Sequence, residues 1–541
     1  KTIYNYIIKK KPNHWQSLTN LYLINFEKLL FSESLPLINK VLSLKPNYQP
    51  AIRDKSHVLY RLNRLDEALK NIIISIKLNP KDYIALNIMG MIYNGLKDIE
   101  TAKKIYSKAI IIKPNYAPTY SNIAKSYVEQ NNRDDAIKYL NKCLEIDPYF
   151  KEGINNLANI YTTTGNSKKA IPLYLQILSK NKTDPDVNLN IAIAYFFDKN
   201  YDLAQKYFEI TEQINPHDDK FKKNYSLFLL FKQNYEKAWR VGEGRLNLQE
   251  YTVPGTWLDN FKDKIWKGEK ISQDQNILII KEQGVGDEIL YSTMYLEALK
   301  FFPNCQIETE ERLLSLFKRS YNKEKIIPFL SISKNKEKLK KIDKIIFSAS
   351  LTRLFRNDKL NFIKKNELII NQSLENEIAN NLKKLSSKKK IGIAWRSKRE
   401  FLGESKSIDI ESFLPLLNLN EEFDFINIQY GDISDDLDRL KQKNIELINL
   451  DIDLFNDFEK IAALLKNLDL FITVSNSTAH LAGALNVNTW LIKPKTFALF
   501  HYWNQPNTYC PWYPSIRLIE QDKDINKIMN ELKKEIIKIK N

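Results

Sequence analysis

Small and aromatic residues recur along the first half of the chain with a constant period of about 34 residues. The window 83–116 has small residues at Gly90, Ala102 and Ala109, with Tyr93 and Tyr106 between them. The next three windows repeat the first small position, the tyrosine three residues later and the second small position. Helical spacing of these positions predicts pairs of amphipathic helices whose small residues allow close approach. Prolines close the windows at Pro12, Pro46, Pro80, Pro114, Pro148 and Pro216.

Helix pairs closed by proline at this period are the signature of tetratricopeptide repeats. Residues 1–248 are therefore identified as an α-solenoid, a tetratricopeptide superhelix with a long concave surface. Residues 15–82 are predicted to hold two degenerate repeats, and residues 219–248 resemble a final one. Trp239 in that final repeat is predicted to pack onto the next domain.

Four asparagines stand at this same spacing on the first helices of successive repeats: Asn122, Asn156, Asn190 and Asn224. An amide both donates and accepts hydrogen bonds, so a ladder of amides could hold a polypeptide backbone regardless of its sequence. The alternatives are an Asn-rich composition and contacts between neighbouring repeats. The ladder resembles that of the O-GlcNAc transferase family, in which the superhelix precedes a glycosyltransferase. The next rung, at residue 88, is Ile here, with Asn87 beside it.

In the second half, short apolar runs alternate with helical patterns, which predicts α/β units. Strands are predicted at Asn276–Ile280, Gln306–Glu308, Lys344–Phe347, Ile391–Trp395, Phe423–Tyr430, Ile445–Leu450, Leu470–Val474 and Thr489–Ile492. Helices are predicted at Asp457–Leu468 and Ser477–Leu485. The terminal helix Ile525–Ile539 is predicted to cross back and brace the first of two Rossmann-like halves. These units indicate two Rossmann-like halves, residues 249–388 and 389–541.

The loop after the first of these strands combines Gly284, Gly286 and Asp287 at the start of a helix. Glycines let a ligand approach the backbone, and helix starts favour anions. A carboxylate there would stand at the carboxyl end of the strands, where such sheets bind substrates. The alternative is a tight turn with an acidic residue in the first turn of its helix.

Four motifs resemble the family-9, heptosyltransferase-like branch of GT-B glycosyltransferases. They are EQGVGDEILYSTMY, IGIAWRSK, LDLFITVSNSTAHLAGALNVNTWLIKP and PWYPSIRLIEQ, in that order. Some bacterial members of this branch carry tetratricopeptide repeats in front and glycosylate flagellins or other proteins. The resemblance implies a GT-B fold with substrates in the cleft between two halves. It also implies a nucleotide-sugar as substrate, no cofactor and metal-independent chemistry.

The resemblance further implies roles for individual residues. Asp287 matches the family's catalytic base, with Glu288 as the alternative, and His480 is a candidate for both catalysis and donor binding. The donor-binding candidates are Gly284, Gly286, Arg396, Ser397, Lys398, Lys406, Ser407, Asn476, Ser477, Thr478 and His480. For the lysine-containing stretch, the alternative is a solvated loop. Many family members have Asp-Thr where this chain has Ser475-Asn476, which leaves the donor identity open. Aromatic candidates for the sugar or base pocket are His501, Tyr502, Trp503, Trp512 and Tyr513.

Composition limits the classes of partner and the cellular compartment that we expect. The formal net charge is +17, but the basic residues are spread along amphipathic helices, which argues against a nucleic-acid partner. Three separate cysteines without CxxC spacing indicate a reducing compartment. No apolar run has membrane-spanning length and no signal peptide is visible, so we expect a cytoplasmic protein. The chain begins at Lys1 rather than Met, which leaves open whether other residues precede it.

These observations lead to one main hypothesis and two alternatives. The main hypothesis is a protein glycosyltransferase, in which the repeats capture a polypeptide such as flagellin and the cleft transfers a sugar to Ser or Thr. The first alternative is a transferase of cell-surface glycan or lipooligosaccharide sugars, whose repeats serve assembly only. The second is a non-catalytic repeat scaffold with a degenerate GT-B domain.

Overall fold

The computed structural model describes residues 1–247, 262–362, 368–397, 403–494, 501–505, 508–521 and 524–539. The chain separates into two compact units, Lys1–Lys199 and Asn200–Asn541. The predicted domain boundary after residue 248 falls outside the described residues. The predicted boundary after residue 388 falls just before a strand that begins at Lys389.

The first unit, all of which is described, is helical throughout. Its helices are α1 (Thr2–Lys10), α2 (Trp15–Glu27), α3 (Phe31–Leu44), α4 (Gln49–Arg61), α5 (Leu65–Leu78), α6 (Tyr83–Gly95), α7 (Ile99–Ile112), α8 (Ala117–Glu129), α9 (Arg133–Ile146), α10 (Lys151–Thr163), α11 (Ser167–Lys180) and α12 (Pro185–Phe197). The N-terminal region is therefore the predicted helical solenoid, and the pairs α2–α3 and α4–α5 confirm the degenerate repeats in residues 15–82.

The packing inside each repeat depends on the small residues of the pattern. A Cβ atom at Gly90 would overlap the ring of Tyr106, which is completely buried. The turn between the two helices of a repeat also recurs with the period of the sequence pattern. Asn63, Lys97, Asn131 and Gly165 each have a positive φ in this turn, a conformation that reverses the chain between antiparallel helices.

The second unit begins with three more helices, α13 (Tyr201–Ile214), α14 (Asp219–Phe231) and α15 (Tyr235–Gly242). A short 3-10 helix, Glu243–Asn247, follows α15 directly. Trp239 on α15 donates its indole N–H to the carbonyl oxygen of Arg356 at 2.6 Å, and its ring contacts Trp512 edge-on. The prediction that Trp239 packs onto the next domain is confirmed.

Two sheets follow in this unit. The first consists of β1 (Ile277–Ile280), β2 (Cys305–Thr309), β3 (Ile326–Pro328) and β4 (Lys344–Phe347), all parallel, in the order β3-β2-β1-β4. The second consists of β5 (Lys389–Ala394), β6 (Phe423–Asn427), β7 (Leu470–Val474), β8 (Thr489–Ile492), β9 (Tyr509–Cys510) and β10 (Tyr513–Ile519). Its order is β6-β5-β7-β8-β10-β9, and only β9 is antiparallel to its neighbour.

The helices of the α/β region lie between these strands in sequence, and the last one follows the final strand. They are α16 (Val285–Ser292), α17 (Tyr295–Phe301), α18 (Glu311–Ser320), α19 (Lys336–Lys340), α20 (Thr352–Phe355), α21 (Gln372–Leu385), α22 (Gly403–Lys406), α23 (Leu414–Leu417), α24 (Ser434–Lys441), α25 (Phe458–Lys466), α26 (Ser477–Ala484) and α27 (Ile525–Ile539). The region is an α/β fold with parallel and mixed sheets. No helix in the described ranges is both long enough and apolar enough to cross a membrane.

Two sequence predictions are wrong. The run Ile445–Leu450 forms no strand, because only Ile448 makes an isolated bridge, to Ile426. The terminal helix α27 does not brace the first Rossmann-like half. Its apolar face, including Met529 and Leu532, lies in the core of the second sheet. The apolar side chains of that face are buried against α23 and against the strands of the second sheet.

Candidate functional site

The strand orders place two switch points in the α/β region. The first sheet has β1 between β2 and β4, and the second has β5 between β6 and β7. The chain runs from the central strand to one neighbour and later returns on its other side, so a crevice opens at the carboxyl ends of the strands. The loops at these points contain the glycine motif after β1, Trp395–Ser397 after β5 and Ser475–Asn476 after β7. The strand order therefore places three motifs that are far apart in sequence at the carboxyl ends of strands, next to the switch points.

The starts of α16 and α26 contact each other. A Cβ atom at Gly286 would lie 3.0 Å from Cδ2 of His480 and 3.4 Å from the Cα atom of Ser477. A side chain at residue 286 would therefore push the two loops apart. Because helix starts present unpaired backbone N–H groups, two of them at one place favour an anionic ligand. Gly284, just before this contact, caps α16 and has open space beside it.

The two candidate bases on α16 have different surroundings. Asp287 is 7% exposed, and its charge acts on both Glu282 and Tyr513. Glu288 is completely buried and accepts hydrogen bonds from the hydroxyl of Thr309 and from the backbone N–H of Glu310 at the end of β2. Burial raises the pKa of Glu288 to about 7. The carboxyl group of Glu288 is thus an anchor within the first sheet, and Asp287 remains the better candidate for contact with a substrate.

His480 lies in an aromatic cage. Its Nδ1 atom is 3.2 Å from the hydroxyl of Tyr513, and its ring contacts those of Tyr502 and Trp503. Trp503 is held in turn by a 3.1 Å hydrogen bond from its indole N–H to Ser475. Burial lowers the pKa of His480 to about 3, so the imidazole is neutral at physiological pH. His480 is therefore a hydrogen-bonding group there, not a cation.

The loops after β5 bring only some of the predicted donor residues together. The backbone N–H of Ser397 donates to the hydroxyl of Ser407 at 3.1 Å. Lys406 is 6% exposed, and its charge acts on His480. Arg396 instead forms an ion pair with Asp436 on α24, so phosphate binding by its guanidinium would compete with that pair. Lys398 lies outside the described residues.

The predicted donor residues after β7 form the start of α26. Asn476 caps the helix, accepting the N–H of Ala479 at 2.9 Å and donating to Thr473 at 3.1 Å. Ser477 is half-buried and Thr478 is buried. Asn476 thus uses its side chain to shape the loop and to bind the N–H of Ala479, which leaves the backbone N–H groups of Ser477 and Thr478 as the groups suited to an anion.

An ionic cluster behind the glycine loop was missed by sequence reasoning. Arg245, just after α15, binds Glu282 at 3.0 Å and Glu243 at 2.7 Å, and it donates to the hydroxyl of Ser350 at 2.9 Å. Glu282 also accepts the N–H of Ala349 at 3.2 Å. Burial opposes the charge of Arg245, but the two carboxylates outweigh it and raise its pKa. The only sequence signal was Glu282 itself, because an acid after a fully apolar strand needs a partner.

The asparagine ladder lies on the first helices of the repeats, as predicted, but its amides already bond to protein. Each of three Nδ2 atoms donates to the preceding repeat. The pairs are Asn122 to Asn87 at 3.0 Å, Asn156 to Ser121 at 3.1 Å and Asn190 to Asn155 at 2.9 Å. In the second unit, Asn224 donates to the carbonyl oxygen of Lys220 in its own helix. The first three bonds match the alternative of contacts between repeats, and each of the four bonds occupies one amide proton. Peptide binding by the ladder stays a prediction.

Some of the other aromatic candidates contact His480, and the others contact the last helix pair. Trp503 and Tyr513 are fully buried, and Tyr502 and Trp512 nearly so. His501 contacts the ring of Trp239 edge-on, so this side of the cluster faces α15. Most of these rings therefore form core around the loops, and a role in lining a sugar pocket stays a prediction.

Comparisons with known proteins identify the repeats. The family model described as Psidin, N-terminal TPR repeats region, matches residues 18–135, and the model described as Tetratricopeptide repeat matches residues 154–187. Together with the constant period of the sequence pattern, these matches show an N-terminal tetratricopeptide solenoid.

A curated relative and several solved structures are also similar. The chain is 26% identical over 302 residues to Protein FlbA of Caulobacter vibrioides, covering 52% of this chain and 48% of that protein. It thus spans about half the length of that relative. A thermophilic TPR protein of Thermus thermophilus is 20% identical with a TM-score of 0.33, covering 34% of this chain and 99% of that one. A tetratricopeptide repeat protein from Parabacteroides merdae is 14% identical with a TM-score of 0.35, covering 46% of this chain and 97% of that one.

The contact between the two helix starts predicts unequal effects of two similar substitutions. Gly286→Ala places a methyl group against His480, and we expect it to destabilise the second unit by about 1–3 kcal/mol. Gly284→Ala is the matched control, because its nearest neighbour would be Oδ2 of Asp287 at 4.0 Å. Urea unfolding of both variants measures the difference. Equal stabilities of the two variants would contradict this account of the contact.

The ionic cluster predicts a large cost when its cation is removed. Arg245→Met leaves the carboxylate of Glu282 buried without its partner, and we expect a loss of about 3–5 kcal/mol in the free energy of unfolding. Adding Glu282→Gln removes the uncompensated charge and should recover part of that loss. Denaturant unfolding of the single and double variants gives both values. A double variant no more stable than Arg245→Met would refute the proposed pairing.

The buried imidazole of His480 predicts a stability that declines in acid. Its pKa is lowered to about 3, whereas an unfolded histidine titrates near pH 6.5. The stabilisation by the neutral form is therefore complete above about pH 6.5 and is lost as the pH falls toward the folded value. We expect the stability advantage of the wild type over His480→Gln to shrink by about 1.4 kcal/mol per pH unit below pH 6. Urea unfolding from about pH 7.5 to about pH 5 tests this, and a pH-independent difference would argue against it.

Proposed function

We propose that this protein is a glycosyltransferase that moves a sugar from a nucleotide-sugar donor to Ser or Thr of a polypeptide held by the repeats, such as flagellin. The observation that carries the proposal is the contact of Gly286 with His480, since it joins the loops at both switch points. The resemblance of four sequence motifs to the GT-B family supports the same reaction class. Nucleotide-sugar and acceptor would meet between these loops.

The chemistry requires a base and a place for a leaving phosphate. The acceptor hydroxyl oxygen would form a bond to the anomeric carbon of the sugar while the bond from that carbon to the phosphate oxygen breaks. The hydroxyl proton would pass to the carboxylate of Asp287, acting as general base. The nucleotide would leave with the bonding electrons, and its negative charge would be stabilised by Lys406 and by the N–H groups at the start of α26.

The repeats supply the acceptor side of the proposal. Asn122, Asn156 and Asn190 each use one amide proton toward the neighbouring repeat. An amide carries a second proton and a carbonyl oxygen, so each side chain retains groups suited to a peptide backbone. The bonds between repeats would fix the orientation of the ladder before a polypeptide binds, which lowers the entropy cost of binding.

The same hydrogen bonds favour a second candidate function. If the amides serve only to connect repeats, the solenoid is an assembly surface. The α/β region would then glycosylate a cell-surface glycan or lipooligosaccharide rather than a protein. The two candidates share the donor site and differ only in the acceptor, so experiments on the asparagines separate them.

The base assignment predicts a selective loss of turnover. We expect Asp287→Asn to lower the rate of sugar transfer by about 10²–10⁴-fold, because general base catalysis is removed, with nucleotide binding retained. Glu288→Gln is the matched control, since its carboxyl group faces β2, and it should keep most of the activity. Mass spectrometry of purified flagellin incubated with each variant and a panel of nucleotide-sugars measures transfer. Native rates in Asp287→Asn would exclude this base, and absence of transfer in the wild type would favour a glycan acceptor or a scaffold.

The ladder predicts a defect that depends on the acceptor. We expect Asn156→Ala with Asn190→Ala to raise the KM for a protein acceptor by about tenfold, the loss of a few hydrogen bonds, with little change in kcat. Hydrolysis of the donor in the absence of acceptor is the internal control and should be unaffected. If the double variant transfers to protein as well as the wild type, the asparagines connect repeats only.

A further inference from the structure

Tyr513 is placed with little freedom beside His480. It is the first residue of β10 and is 1% exposed, and its ring lies flat over Gly483, where any Cβ atom would overlap it. Gly483 stands three residues after His480 on α26, so the ring and the imidazole share one face of that helix. In the part of the chain that the structure describes, the hydroxyl of Tyr513 has one hydrogen-bond partner, Nδ1 of His480 at 3.2 Å.

The direction of that hydrogen bond determines the tautomer of the imidazole. A neutral imidazole has one protonated nitrogen and one acceptor nitrogen. Burial keeps Tyr513 protonated, because it raises the pKa of the phenol well above its usual value, and the nearby carboxylate of Asp287 acts in the same direction. A phenol is a better donor than acceptor, which favours donation from Tyr513 to Nδ1 and an imidazole proton on Nε2.

The protonated Nε2 atom faces the start of α16. It lies 3.7 Å from the position of a Cβ atom at Gly286. Among the described residues, Nε2 has no hydrogen-bond partner, whereas Nδ1 has Tyr513. Lys406 lies near enough for its charge to act on the same ring. A neutral N–H donor and two helix starts therefore lie together, and the positive charge of Lys406 acts on the same imidazole; all of these favour an anion.

We propose that Tyr513 is a positioning residue that holds His480 as the Nε2–H tautomer, and that this N–H donates a hydrogen bond to a phosphate oxygen of the donor nucleotide. The ligand in this proposal rests on the proposed function, but the tautomer does not. The arrangement assigns His480 to phosphate binding rather than to proton transfer. It also gives a reason for the tyrosine in the PWYPSIRLIEQ motif beyond packing.

The tautomer is tested first, in the full-length chain without any ligand. Nitrogen-15 NMR of histidine-labelled protein distinguishes the two neutral forms of each ring. We expect His480 in the wild type to be protonated on Nε2, and Tyr513→Phe to lose this preference. Tyr502→Phe is the matched control, because it removes a hydroxyl from the same cage and leaves the hydroxyl of Tyr513 in place. Protonation on Nδ1 in the wild type, or an unchanged tautomer in Tyr513→Phe, would overturn the proposal.

The hydrogen bond to phosphate is tested by calorimetric titration with CMP, UDP, GDP and ADP. We expect His480→Gln, whose amide can place an N–H near the Nε2 position, to keep the affinity of the best nucleotide within about threefold. His480→Asn, whose shorter amide corresponds to Nδ1, should weaken it about tenfold, the loss expected for a hydrogen bond to a charged group. Equal affinities of the two variants would contradict this role. If the wild type binds none of the four nucleotides, the ligand assignment fails together with the proposed function. If nucleotides bind but the tautomer is wrong, this inference alone fails.

Discussion

The close contact between Gly286 and His480 is the constraint on which the candidate site depends. It joins the first helix after β1 of one sheet to the first helix after β7 of the other, and it exists because residue 286 has no side chain. Two switch points alone would give two separate crevices. Their contact brings together the partial positive charges of two helix starts and the carboxylate of Asp287, and the charge of buried Lys406 acts on the same histidine. Such an arrangement combines the two requirements of glycosyl transfer, a proton acceptor and an anion site.

The last helix pair, α14 and α15, and the residues just after it support the glycine loop of the candidate site. Arg245 neutralises Glu282, which lies between β1 and the glycine loop, and Trp239 packs against Trp512 and His501. A buried charge without a partner is costly, so the loop conformation and the helix that supplies Arg245 stabilise each other. The segment after α15 is therefore part of the structure of the α/β region. A change at Arg245 is expected to affect the glycine loop, and a change at Glu282 to affect the segment after α15.

Local patterns predicted much of the fold. The constant period of small and aromatic residues predicted the repeats, and β4, β7 and β8 have the predicted bounds because buried parallel strands are short continuous apolar runs. The predictions failed where structure depends on distant partners. Ile445–Leu450 is apolar enough for a strand but has almost no pairing neighbour. Glu282 and Arg245 are 37 residues apart, and nothing local indicates that they meet. The motifs indicated Asp287 and His480, but only the contact between α16 and α26 in the structure showed that their loops meet.

The central claim is that the starts of α16 and α26, beside their contact at Gly286, bind a nucleotide phosphate. Thermal unfolding of the full-length chain with CMP, UDP, GDP or ADP tests it most directly, in the wild type and in Lys406→Met. The account predicts that one nucleotide, at about a hundred times its Kd, raises the Tm of the wild type by about 5 °C, and that Lys406→Met loses most of this shift. If none of the four nucleotides changes the Tm, or if Lys406→Met responds like the wild type, these helix starts are not a phosphate site.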